Sequence, residues 1–208
     1  MNKYITELVG TFFLVFTVGC TVVGNTGGTL APLAIGAALM VMVFAGGHIS
    51  GAHYNPAVTL GVWLRGKITP KDVAGYMIFQ IIGAVLAAMA VRYLKAGVEV
   101  VPMNLAVLPA LLAEFLFTFA LVFVVLNTAT AKSTSGNSFY GLAIGFTVTA
   151  GAYAVGGISG GVFNPGVAVG ISIMGLSAWS SIWIYLVANF AGGAVAAAAF
   201  KAVNPGDN

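Results

Sequence analysis

Apolar residues run along this chain in six long stretches, roughly 4–23, 31–46, 72–94, 109–128, 139–156 and 179–203, separated by short polar or glycine-rich segments. At about 1.5 Å of rise per residue, each can cross about 30 Å of hydrocarbon as a helix, some with tilt or help from neighbouring protein. The pattern predicts an all-α membrane protein with six transmembrane helices. Two shorter apolar runs, 55–64 and 164–174, cover about 15 Å each, half the hydrocarbon thickness. They predict two re-entrant half-helices.

Each short run opens on Asn-Pro. An asparagine side-chain oxygen accepts from an orphan backbone N–H at a helix start, and proline suits the first helical position, where no N–H is needed. Asn55-Pro56-Ala57 and Asn164-Pro165-Gly166 therefore read as helix starts. The glycine- and serine-rich approaches, 46–51 and 156–161, read as non-helical backbone. At that depth such backbone is tolerated only if buried in protein or lining a wet cavity, where its carbonyls form a ladder of acceptors.

The two halves match. Glu7-x3-Thr11 recurs as Glu114-x3-Thr118, and Ala34-Ile35-Gly36 recurs as Ala143-Ile144-Gly145. Ile49-Ser50-Gly51, Asn55-Pro56 and Tyr76/Gln80/Gly83 recur as Ile158-Ser159-Gly160, Asn164-Pro165 and Tyr185/Asn189/Gly192, all at an offset of 109 (164 − 55). The chain reads as one transmembrane channel domain: repeat 1 over 1–100, repeat 2 over 105–203, and a polar tail over 204–208. With three full spans per half, the second repeat enters from the opposite face, so the repeats are inverted and the functional site belongs near the midplane, where interrupted helices meet. Two half-helix starts meeting there each bring roughly half a positive charge, which disfavours cations. Each asparagine, its oxygen engaged in capping, can aim amide N–H at the lumen and donate to a passing oxygen.

Composition narrows the field. Charged residues make up 6% of the chain, against about a quarter in a soluble domain. The eight Lys and Arg are too sparse for a nucleic-acid footprint, but Lys3, Arg65, Lys67, Lys71, Lys132 and Lys201 fall on one side if the spans alternate. The positive-inside rule then puts both termini in the cytoplasm, and the expected location is the cell membrane. The basic start followed by an apolar run is read as the first span, not a signal peptide. A single cysteine, Cys20, excludes an intramolecular disulfide. The sequence offers no metal-ligand cluster, nucleophile triad or phosphate loop, so no enzyme activity, metal or cofactor is expected.

The segment His48-Ile49-Ser50-Gly51-Ala52-His53-Tyr54-Asn55-Pro56-Ala57-Val58-Thr59 resembles the first signature of the aquaporin, or major intrinsic protein, family. The second copy is similar but altered, and the resemblance extends over nearly the whole chain. It implies a passive channel for water or small uncharged solutes and a homotetramer with one pore per subunit. It also implies that Glu7 and Glu114, costly inside apolar spans, brace the re-entrant loops by accepting backbone N–H bonds. The same resemblance places an outer selectivity filter at Ile35, Ala152, Gly161 and Val167. Water-selective members resemble an aromatic, a histidine, a small residue and an arginine there, whereas all four are apolar here and mostly small. The neck is therefore expected to be wide, passing hydrogen peroxide, ammonia or urea. Glycerol is less favoured, because Ala168 stands where glycerol-conducting members carry an aspartate. Gly166 in place of the usual alanine is expected to loosen its half-helix start.

His48 and His53 flank the first re-entrant turn and read either as partners of loop backbone or as a pH-sensitive cytoplasmic vestibule. Asn204-Pro205-Gly206, with no helix after it, reads as a disordered turn. A secondary transporter is the alternative, since inverted repeats and broken helices serve transporters too, but it needs a coupling-ion site.

Overall fold

The structure, a computed structural model, describes residues 1–207; Asn208, the last residue of the expected tail, lies outside the described residues. Eight α-helices follow in order: α1 (Asn2–Val22), α2 (Ala31–Ser50), α3 (Pro56–Leu64), α4 (Pro70–Leu94), α5 (Val107–Val125), α6 (Tyr140–Ser159), α7 (Pro165–Met174) and α8 (Ile182–Val203). A π-turn, Leu126–Thr130, extends α5. Six of these elements are long and apolar enough to span a membrane, and α3 and α7, of nine and ten residues, are not.

The approaches to the half-helices depart from the expectation. The glycine-rich approaches are mostly helical, α2 running to Ser50 and α6 to Ser159 before each ends on a left-handed glycine, Gly51 (φ 85°) or Gly160 (φ 91°). A glycine costs a helix only about 1 kcal/mol relative to alanine, whereas a backbone group left unpaired away from water costs several. The irregular backbone is thus confined to 51–54 and 160–163. There Ala52, Tyr54, Gly161 and Phe163 also take positive φ, position for position across the repeats.

α1 packs on α4 in the first repeat as α5 packs on α8 in the second, and α2 packs on α6 across the axis relating them. That last crossing is backbone to backbone: a Cβ on Gly36 would sit 2.6 Å from the Gly145 carbonyl oxygen, and one on Gly145 2.5 Å from that of Gly36. Lipid supplies little hydrophobic drive between helices, so this close van der Waals packing holds them together. Each half-helix packs against the last helix of the other repeat, α3 on α8 and α7 on α4. Their starts meet, Pro56 Cδ lying 3.7 Å from where a Cβ on Gly166 would be.

Lys3 pairs with Asp72 at 2.7 Å at the end of the bundle that carries the termini, and Lys95 reaches Thr26 at the far end. Asn204-Pro205-Gly206 is part of a fastened turn, not a disordered one. Asp207 Oδ1 lies 3.0 Å from an Arg65 guanidinium nitrogen, and its Oδ2 accepts from the Lys132 backbone N–H. Asn204 donates to the Asn127 side chain. Arg65, counted in the sequence as a topology charge, is only 4% exposed and lies over the Phe200 ring at 4.6 Å.

Candidate functional site

Each half-helix start is capped by its asparagine. Asn55 Oδ1 accepts from Ala57 N–H, and Asn164 Oδ1 accepts from both Gly166 and Val167. With glycine following Pro165, the second cap is thus as fully made as the first. The amide nitrogens cross over: Asn55 Nδ2 donates to Phe163 O at 2.8 Å, and Asn164 Nδ2 to Tyr54 O at 2.9 Å. An amide carries two N–H donors, so each asparagine keeps one for the lumen.

The loops leading to these caps are braced in duplicate. Glu7 accepts from Ser50 Oγ, His53 N, Tyr54 N and Gln80 Nε2, at 2.6 to 2.9 Å. Glu114 accepts from Ser159 Oγ, Val162 N, Phe163 N and Asn189 Nδ2, at 2.7 to 2.9 Å. Every loop partner in the second set is the first shifted by 109. Both carboxylates are fully buried, and burying a charge costs several kcal/mol unless its lone pairs are filled. Four donors fill them here. Tyr76 and Tyr185, read in the sequence only as repeat matches, add a second brace by donating to Ser50 O and Ser159 O.

The copies differ at one joint. Gln80 is long enough to reach Thr59, while the shorter Asn189 stops at Thr118. The counterpart of Thr118, Thr11, is left with its hydroxyl unpartnered among the described residues.

A cavity of about 600 Å³ lies inside the bundle, lined from Val22 and Asn25 toward the far end to His53 beside the first half-helix start. It brings together Asn55, Asn164 and all four expected filter positions, Ile35, Ala152, Gly161 and Val167. Ala152 and Gly161 touch, the Ala152 Cα lying 3.1 Å from where a Gly161 Cβ would be. Leu14, Val58, Val148 and Ile171 contribute to an apolar wall, and no charged side chain lines it among the described residues. Loop residues Val101 and Met103, which the sequence did not single out, also line it near the far end; Met103 N–H donates to Leu176 O and pins the loop there.

A second cavity of about 390 Å³ opens at the termini end, lined by Lys67, Asp72 and Tyr76 among others. His53 lines both cavities. Its Nδ1 lies 3.1 Å from Thr59 Oγ1, and its ring stands edge-on to Tyr76. Thr59 accepts from Gln80 and donates to Asn55 O, so the bonds balance when His53 carries its proton on Nδ1 and leaves Nε2 as an acceptor. His48 is exposed and lines neither cavity. No group of His, Cys, Asp and Glu that could hold a metal occurs among the described residues.

Comparison with known proteins gives one answer. The family model described as Major intrinsic protein matches residues 1–200. Glycerol uptake facilitator protein-like 6 of Lactiplantibacillus plantarum is 38% identical over 207 residues, 95% of each chain. Aquaporin NIP1-3 of Oryza sativa subsp. japonica is 38% identical over 214 residues, 97% of this chain and 73% of that one. The aquaglyceroporin of Plasmodium falciparum superposes with a TM-score of 0.83 at 23% identity, covering 98% of this chain and 97% of that one, a likeness of fold. The family consists of channels, not enzymes. With two asparagine-capped half-helices meeting inside a six-helix bundle, this chain belongs to the major intrinsic protein family and is a passive membrane channel for water or small solutes.

Proposed function

We propose that this channel conducts small uncharged solutes wider than water, with hydrogen peroxide, ammonia and urea as the class, through a neck formed by Ile35, Ala152, Gly161 and Val167. One observation carries the reading: the cavity that holds both asparagine amides and all four neck positions is lined by no charged side chain. A neck with an arginine would hold a fixed cation and several donors, narrowing the path. Val167 supplies neither, and Ala152 and Gly161 add almost no volume. Charged solutes are rejected by an apolar wall that cannot replace their hydration and by the positive ends of α3 and α7. Glycerol, which one relative is named for taking up, is less favoured because Ala168 carries no polar group beside the second motif. In this reading the protein is a homotetramer of the cell membrane with one pore per subunit and both termini cytoplasmic.

Coupled transport finds no support at the two intramembrane carboxylates. Each spends its lone pairs on four loop and side-chain donors and has none free for an ion.

The test is stopped-flow light scattering on proteoliposomes. The reading predicts urea and peroxide entry well above protein-free liposomes, linear in concentration and without gradient coupling. Saturable, ion-driven uptake contradicts it.

A further inference from the structure

The inverted repeat breaks at one place beside the neck. In the first repeat Gly47, near the end of α2, faces Tyr140 at the start of α6; a Cβ on Gly47 would meet the Tyr140 ring at 3.3 Å. Shifted by 109, the pair becomes Gly156 near the end of α6 and Ala31 at the start of α2. Nothing lies within 4 Å of where a Cβ on Gly156 would be. The space that a tyrosine fills at one end of the molecule is open at the other. Ala31 and Gly156 both line the main cavity, and the Gly156 Cα is 3.5 Å from where a Gly161 Cβ would sit. The recess therefore adjoins the neck directly.

Its wall is not purely apolar. Continuing α6 would require Gly161 N–H to donate to Gly157 O, but that N–H goes to Ser159 Oγ at 3.2 Å. The Gly157 carbonyl, on a residue lining the same cavity, is left as an acceptor for a passing N–H or O–H.

We propose that the recess between Gly156 and Ala31 is a specificity determinant beyond the four neck positions, widening the path for planar N–H donors broader than water, urea and other small amides. The inference rests on the wide-neck reading above and adds the residues that make the extra width. A solute with its own N–H groups enters at less cost than an apolar one of equal size, because the Gly157 carbonyl replaces part of the lost hydration.

Urea entry and osmotic water flow are compared in proteoliposomes for wild type, for Gly156→Ala, Gly156→Val and Gly156→Leu, and for Ala31→Tyr, each first checked for assembly by gel filtration. Ala31→Tyr tests the recess from the other helix and restores the Gly47–Tyr140 arrangement. The expected result is a stepwise fall in urea entry with side-chain volume, reaching about tenfold at leucine and at Ala31→Tyr, while water flow stays within about twofold. Unchanged urea entry in Gly156→Leu and Ala31→Tyr, with a urea-conducting wild type, overturns the recess and leaves the wide neck standing. Equal loss of urea and water also overturns it, since the substitutions would then block the path without selecting within it. A wild type that passes no urea overturns both the wide neck and the recess.

Discussion

Asn55 and Asn164 are tied crosswise, each amide donating to the carbonyl of the residue that precedes the other motif, Phe163 or Tyr54. The bond fixes how each amide is rotated, so that oxygen faces its own helix start and one N–H remains for the lumen. It also joins the two half-helices, which enter from opposite faces and share only their starts. Asn164→Ala removes a cap and a cross-bond together, each worth about 1 kcal/mol. A loss of about 2 kcal/mol is expected in denaturant unfolding in detergent, with lower water flow per assembled channel. Unchanged stability would mean that the crosswise bonds hold nothing together.

Glu7 and Glu114 answer a different question, namely what keeps 51–54 and 160–163 in positive-φ backbone. Replacing either with glutamine keeps the volume but turns one acceptor into a donor that faces donors already in place. Glu114→Gln leaves Phe163 N–H and Asn189 Nδ2 competing with a new amide, or Ser159 and Val162 if the amide turns over. The expected cost is about 3 to 5 kcal/mol, read as a collapse in the yield of folded protein. Normal yield and melting temperature for Glu114→Gln would show that the carboxylate is dispensable to the loop.

Arg65 and Asp207 form a pair nearly closed to solvent, their side chains 2% and 11% exposed. Removing Asp207 alone strands a buried guanidinium against the Phe200 ring, whereas removing both partners does not. Asp207→Ala is expected to cost about 2 kcal/mol, and the double variant Arg65→Leu/Asp207→Ala to recover most of it. Simple additivity in the double-mutant cycle would dissolve the clasp.

The small-residue crossings make a fourth prediction. A Cβ on Gly83 would lie 2.4 Å from Leu8 O, and its counterpart on Gly192 2.7 Å from Phe115 O. Gly83→Val must push α4 away from α1 and is expected to destabilise the bundle by about 1 to 3 kcal/mol, seen as a lower melting temperature in detergent. An unshifted melting curve would mean that these helices are not in contact there.

Local signals carried most of the fold. Asn-Pro followed by a half-length apolar run marks a helix start whatever surrounds it, so the runs read over 55–64 and 164–174 correspond closely to Pro56–Leu64 and Pro165–Met174. The approaches to these starts were harder to read. Glycine at 46–47 and 156–157 suggested irregular backbone, but glycine's weak helix propensity yields where no water is present to take up unpaired amides. Long-range partnerships left no sequence signal. Arg65 looked like one more loop cation until Asp207, 142 residues away (207 − 65), was brought against it. Tyr76 and Tyr185 were visible as repeat matches, but their role rests on the carbonyls of Ser50 and Ser159, which only the folded chain brings within reach. The recess at Gly156 was hidden for the same reason: alanine at position 31 means little until it is set against Tyr140 in the other repeat.

In the proposed function, the absence of a charged residue at the neck makes this a channel for solutes wider than water. Stopped-flow comparison of urea entry and water flow for wild type and Val167→Arg tests it most directly, since the substitution restores a cation and its donors at one wall of the neck. Rapid urea entry is expected in wild type, suppressed about tenfold or more by Val167→Arg while water still flows. Wild-type liposomes that shrink and swell quickly with water yet exclude urea would contradict it.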